Sequence, residues 1–302
     1  MRIDSVATTE SLFGRGLFGR NSRRLVDAAA RTCLGRAKCR PEELDLLINV
    51  GIYKEHGLAE PALAALIQED LGANPGGVAL HRSAHEHGTF SFDLMNGGCG
   101  TLNALHVLDG FLGSGGARTA LIVATDVEPK RDESRGFPYA SGGGALLLRA
   151  GGADRFVRFH FRTFPEYAAL FDARIEWDAT TQKNLVVVEE QVAFAHRCRQ
   201  LGAEVARELL VLEGLTPPNI DLLIASQYPR GFPLDLAAAL ELSPFAAPAV
   251  SSEHVATHTA GPLAALDSAI RSGLFAAARR ILFVTVGAGI TVGAALYERS
   301  QS

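Results

Sequence analysis

"GTLNALHVLDGFLGSGGARTALIVAT", residues 100–125, aligns without a gap on "GPLAALDSAIRSGLFAAARRILFVTV", residues 261–286, at a shift of 161 positions. Each stretch opens on glycine, continues with apolar residues at helical spacing and breaks near a second glycine. An arginine then introduces a β run, "TALIVAT" or "RILFVTV". Two further pairs keep the same order. "PEELDLLINVGIY" (41–53) and "PPNIDLLIASQYP" (217–229) each read as a turn, an aspartate and a buried strand. "SGGGALLLRA" (141–150) and "GAGITVGAALYE" (287–298) each read as a glycine-rich turn leading into an apolar strand. Three pairs in one order mark a duplicated unit. Strands of unbroken hydrophobicity that alternate with helices require sheets covered on both faces. Two such units related by pseudo-symmetry predict five stacked layers, α-β-α-β-α. Residues 150–185 lose helical periodicity and are expected to link the halves, 1–150 and 151–302.

Composition narrows the class. The chain has 302 residues, 47% hydrophobic and 21% charged, enough for a sizeable α/β core. A net charge of −4 and a pI near 6.1 point away from nucleic acid or an anionic membrane as partner. Cys33, Cys39, Cys99 and Cys198 follow neither a disulfide framework nor a CxxC spacing, so reduced thiols in a cytoplasmic protein are expected. "MRIDSVATTE" lacks the basic and apolar blocks of a secretory signal, and no apolar run approaches the ~18 residues of a membrane span.

The duplicated pattern, with a cysteine at the first strand-to-helix turn, resembles the thiolase-fold condensing enzymes. Within them it resembles β-ketoacyl-ACP synthase III. The residues that carry the likeness are "SFDLMNGGCGTLNALHVLDGFLGSGGARTALIVATD" (91–126), "SGGGALLL" (141–148), "IDLLIAS" (220–226) and "GAGITVGAAL" (287–296), with "LAEPALAALIQEDLG" (58–72) ahead of the nucleophile strand. It covers most of residues 25–298 and implies a thiolase-like five-layered α/β fold and a homodimer, or a heterodimer with a related subunit. It also implies chemistry on acyl-CoA or acyl-ACP thioesters, with no cofactor. A family cysteine at a helix N-terminus attacks the thioester, a histidine and an asparagine from the second half assist, and backbone N–H groups form the oxyanion hole.

Carried over position by position, the family's cysteine falls on Gly98, with Cys99 one residue late. A helix turns about 100° per residue, so Cys99 faces another way unless Gly97 and Gly98 remodel the turn. Two readings stand for Cys99: a displaced nucleophile, and a small buried apolar residue. The histidine position holds Ser226, which is no general base without a partner. The asparagine position is Val255, flanked by His254 and His258, which read as loop histidines or as imidazoles reaching the site from a shifted loop. One oxyanion-hole N–H maps near Ala288, in the glycine turn 287–293.

The family's coenzyme A arm, with its tryptophan, has no counterpart here; the single tryptophan is Trp177. Arg15, Arg20, Arg23 and Arg24, around "FGRGLFGR", read as an exposed basic loop able to meet a phosphate. His81, His85 and His87 in "HRSAHEH" lack the companion ligands of a metal site and read as a polar loop. "GSGGA" (113–117) and "SGGGA" (141–145) match no phosphate-loop pattern. Two functions follow. One is an acyltransferase of the ketosynthase III type in fatty-acid-like or specialised-metabolite biosynthesis, using Cys99 with Ser226 and His254, and with Gly98, Ala288 and His258 at the substrate. The alternative is a catalytically degenerate partner of an active ketosynthase.

Overall fold

The computed structural model describes residues 1–10, 21–54, 57–73, 88–250 and 257–300. The first half of the chain runs β1 (Arg2–Glu10), α1 (Ser22–Arg36), β2 (Leu46–Asn49), α2 (Leu63–Leu71), β3 (Phe90–Asp93), α3 (Gly100–Gly113), β4 (Thr119–Asp126), the short β5 (Ser134–Arg135) and β6 (Gly142–Arg149). The second half runs β7 (Arg155–Thr163), β8 (Phe171–Asp178), β9 (Lys183–Glu190), α4 (Ala193–Leu212), β10 (Leu222–Ala225), α5 (Phe232–Ala239), α6 (Gly261–Arg271), α7 (Leu274–Ala277), β11 (Arg280–Gly287) and β12 (Thr291–Glu298). None of the described helices is long and apolar enough to cross a membrane.

Two sheets repeat one plan. In the order β1-β6-β4-β2-β3, β2 lies parallel to both β3 and β4, and β6 lies antiparallel to β4 and β1. In the order β10-β11-β12-β7, β10 lies parallel to β11, and β12 lies antiparallel to β11 and β7. Side chains alternate across the strands as the two-residue period demands. Leu46, Ile48, Ala120, Ile122, Leu146 and Leu148 face Leu222, Ile224, Ile281, Phe283 and Tyr297 in a central core that holds α3 and α6. Leu47, Leu121, Val123 and Leu147 face outward under α1 and α2. Leu223, Leu282, Val284 and Leu296 face outward under α4 and α5. The result is five layers, as the alternation of strand and helix patterns predicts.

The duplication extends to single hydrogen bonds. Asp45, just before β2, accepts the Arg118 and Thr119 N–H groups at 2.7 and 3.0 Å. Asp221, just before β10, accepts the Arg279 and Arg280 N–H groups at 2.9 and 2.8 Å. Each carboxylate fixes the register of two parallel strands by serving donors that the sheet leaves unpaired. The helices α3 and α6 begin at paired glycines for a steric reason. A Cβ on Gly100 would stand 3.0 Å from the Val50 Cβ, and one on Gly261 3.0 Å from the Gln227 Cβ.

The expectation of a linker over residues 150–185 does not hold. This stretch forms β7, which closes the second sheet, and β8, which pairs antiparallel with β9 in a small sheet of order β5-β9-β8. The segment lost helical periodicity because it is strand.

One buried group ties the halves together. Asp126 ends β4, and its Oδ1 accepts the Ile52 and Tyr53 N–H groups at 3.1 and 2.9 Å. Its Oδ2 accepts the Thr259 N–H at 2.9 Å and the Thr259 hydroxyl at 2.5 Å, just ahead of α6. Burial pushes this carboxyl up, but the neighbouring His258 and these donors outweigh it and hold the group at about 2 against an ordinary 3.8.

Two outcomes follow. Replacing Asp45 or Asp221 with alanine removes two charge-assisted bonds and lowers stability by about 1–3 kcal/mol, read by urea unfolding. A folded-state pKa below the unfolded value stabilises the protein above pH ~4, and this stabilisation is lost as pH falls towards 2. For Asp126 it amounts to about 2 kcal/mol, so Asp126→Asn flattens that limb of a stability–pH series while lowering stability at neutral pH.

Candidate active site

The turn between β3 and α3 is built on backbone bonds. Cys99 N–H donates to Asn96 O at 3.0 Å and Gly100 N–H to Gly97 O at 3.2 Å. The Asn96 amide donates to Asn103 Oδ1 at 2.7 Å, pinning the turn to the first helical turn of α3. Gly97 has φ +52°, a conformation open to glycine at little cost. The end of β11 lies directly against this turn. A Cβ built on Gly98 would stand 2.2 Å from the Val286 carbonyl oxygen and 3.4 Å from Ser226 Oγ. No side chain fits at Gly98 without moving the backbone of the other half.

Cys99 turns away. It is 0% exposed, and its single S–H is shared between the carbonyl oxygens of Thr291 at 3.1 Å and Thr285 at 3.4 Å. A thiolate there would face two carbonyl oxygens and no water. Burial pushes the thiol up to about 12, so proximity to the helix N-terminus does not make it acidic. Cys99 does not line the neighbouring cavity. The sulfur of Cys99 thus points into the core between the halves and away from the cavity.

The cavity, of about 250 Å3, has Gly97, Gly98, Ser226, His258, Gly287 and Ala288 at its polar end. Ser226, 2% exposed, follows β10; its N–H donates to Val284 O at 3.0 Å and its Oγ accepts the Val286 N–H at 3.1 Å. That bond holds the hydroxyl against β11. His258 lies with Nδ1 3.5 Å from Asp126 Oδ2, its side chain 9% exposed. Its ring stacks on Tyr139 with centroids 4.2 Å apart, and Tyr53 stands 5.5 Å away. Tyr228 meets Tyr139 edge-on at 4.9 Å and donates its hydroxyl to Glu190. Phe171, Asp172 and Ala173 of β8 complete the wall, so the stretch expected as a linker supplies part of the site.

Of the residues singled out in the sequence, the structure brings Gly98, Ser226, His258 and Ala288 to one cavity. His254 and Val255 lie outside the described residues, as do His81, His85, His87, Arg15 and Arg20. Arg23 does not reach the cavity; it pairs with Asp70 of α2 at 2.5 Å. Asp126 and the tyrosines escaped the sequence reading. Asp126 was detectable as the charge that ends an apolar strand where the second copy has Gly287. The tyrosines carry no such signal, because they converge from separate loops.

Comparison with known proteins bears on the family and the fold. The family model for 3-oxoacyl-[acyl-carrier-protein (ACP)] synthase III matches residues 92–165, and the model for the C terminal of that synthase matches residues 210–299. The β-ketoacyl-[acyl-carrier-protein] synthase III of Rhodospirillum centenum is 28% identical over 287 residues, covering 92% of this chain and 84% of the relative. That of Acidiphilium cryptum is 28% identical over 277 residues, covering 89% and 81%. Among solved structures, 3-oxoacyl-[acyl-carrier-protein] synthase III from Aquifex aeolicus superposes with a TM-score of 0.78 at 19% identity, covering 99% of both chains. A single-residue variant of Xanthomonas campestris OleA superposes at 0.75 with 15% identity, covering 98% of both. The chain belongs to the β-ketoacyl-ACP synthase III family and has its thiolase fold.

Proposed function

We propose that this chain is a non-acylating subunit of the synthase III type, which works beside a second thiolase-fold chain that carries the nucleophile for acyl-CoA or acyl-ACP thioesters. The observation that carries the reading is the closed space at Gly98: a Cβ there meets the Val286 carbonyl oxygen at 2.2 Å. The thiol of the next residue, Cys99, points to Thr285 and Thr291. An acyl group has no sulfur to join at this turn.

A free strand edge supports the pairing. Among the described strands, β3 ends the five-stranded sheet, with Phe90 and Met95 57% and 59% exposed on and just after it. Phe111 of α3 is also exposed. Apolar side chains beside the backbone of an edge strand favour a second chain that continues the sheet. The four cysteines are free and buried, which suits a reducing cytoplasmic setting.

Intact-mass measurement after incubation with acetyl-CoA, longer acyl-CoA and acyl-ACP is expected to show no adduct. An acyl group on Cys99, absent from Cys99→Ala, would overturn the reading and restore the acyltransferase. Gly98→Ala is expected to lose about 1–3 kcal/mol or more in urea unfolding through forced overpacking. Gly98→Cys is expected to lose as much and to gain no acylation, because the carbonyl of Val286 occupies the space the sulfur would need.

A further inference from the structure

The cavity keeps a piece of machinery that a merely structural subunit does not require. Asp126 is fully buried and ionised, its two oxygens held by four donors from Ile52, Tyr53 and Thr259. His258 presents Nδ1 to it at 3.5 Å, close but without a hydrogen bond. This buried nitrogen has no other partner among the described residues, and a small ring movement brings it onto the carboxylate. Tyr139 covers one face of the imidazole. With Nδ1 turned to the carboxylate, Nε2 is the ring nitrogen left for the cavity that His258 lines. Across the same polar end, Ser226 Oγ accepts the Val286 N–H, which leaves its O–H as a donor to a bound carbonyl oxygen.

We propose that this cavity hydrolyses short acyl or aroyl thioesters, with His258 as general base on water and Asp126 as its positioning residue. The proposal rests on the preceding reading in one respect: no acyl-cysteine forms. His258 Nε2 takes a proton from water while the water oxygen bonds to the thioester carbonyl carbon. The C–S bond then breaks, the leaving sulfur takes the proton from the imidazolium, and a carboxylic acid and a thiol result. Asp126 keeps the imidazole in one orientation.

The walls define the substrate. At about 250 Å3 the cavity lies just below the ~300–1,000 Å3 of drug-sized sites, a size that matches a compact acyl group. Phe171, Phe194, Tyr53 and Tyr139 offer aromatic faces to an aliphatic or aromatic acyl group. Among the described lining residues His258 is the only basic one, and it already faces Asp126, while Asp172 adds a carboxylate at the wall. Acyl groups with a free carboxylate are disfavoured.

The test uses the purified full chain with S-butanoyl- and S-benzoyl-N-acetylcysteamine, and thiol release read by a chromogenic disulfide. Thiol release above the buffer rate is expected, with S-malonyl-N-acetylcysteamine at least about tenfold slower. His258→Ala is expected to lose about 100-fold in kcat, and added imidazole to restore part of it, which a structural role would not allow. Asp126→Asn is expected to lower kcat with KM nearly unchanged. His258→Gln serves if the alanine variant does not fold. No release above background, or a folded His258 variant at the unaltered rate, would overturn the proposal. Intact mass separates the two readings: an acyl adduct on the protein sinks the non-acylating subunit. Absence of both adduct and thiol release sinks hydrolysis alone.

Discussion

A buried carboxylate organises this molecule. Removing a charge from water costs several kcal/mol unless donors replace the hydration. Asp126 therefore has to recruit donors, and it takes them from both halves of the chain: Ile52 and Tyr53 after β2, and Thr259 before α6. His258 Nδ1 lies 3.5 Å from the same group. The loop after β2, the entrance of the central helix and the polar end of the cavity are thus fixed by one requirement. The duplicated position in the second half is Gly287, so the symmetry of the fold is broken where the cavity forms.

A second constraint acts a few residues away. The end of β11 comes so close to the turn before α3 that only glycine is accommodated at residue 98. In a close-packed interior such an approach does not yield to a single methyl group without displacing backbone. Cys99 follows one residue later, and its sulfur lies among the backbone carbonyls of Thr285 and Thr291. The thiol is consequently a hydrogen-bond donor in the core between the halves. The chemistry left in the cavity belongs to oxygen and nitrogen: Ser226, His258 and the surrounding tyrosines.

Most of the fold was legible because it follows from local periodicity. The 161-residue shift pairs β4 with β11 and the start of α3 with that of α6, residue for residue. The aspartates ahead of β2 and β10 were visible as a repeated pattern, and they perform one task in both copies. The strands of residues 155–190 were not legible as such. Alternation in "RFVRFHFRT" is blurred by arginines whose partners, Glu204, Glu208 and Glu213, come from α4 and the residue that ends it.

The site divides along the same line. Gly98, Ser226 and Ala288 were identified by carrying family positions onto this sequence, and His258 as a neighbour of the carried-over position Val255; all four line one cavity. Asp126, Tyr53, Tyr139 and Tyr228 were not, since nothing in the order of residues places a strand end, two loops and a histidine around one volume. The sequence by itself determined the duplicated α/β architecture, because hydrophobic period is a local property; the one-residue shift of the cysteine came from the family resemblance laid on residues 91–126. Only the tertiary structure decided that Gly98 is closed by the Val286 carbonyl, that the Cys99 sulfur is sealed in the core and that Asp126 stands behind His258. Each of these depends on distances between segments more than 100 residues apart, which chain order does not encode.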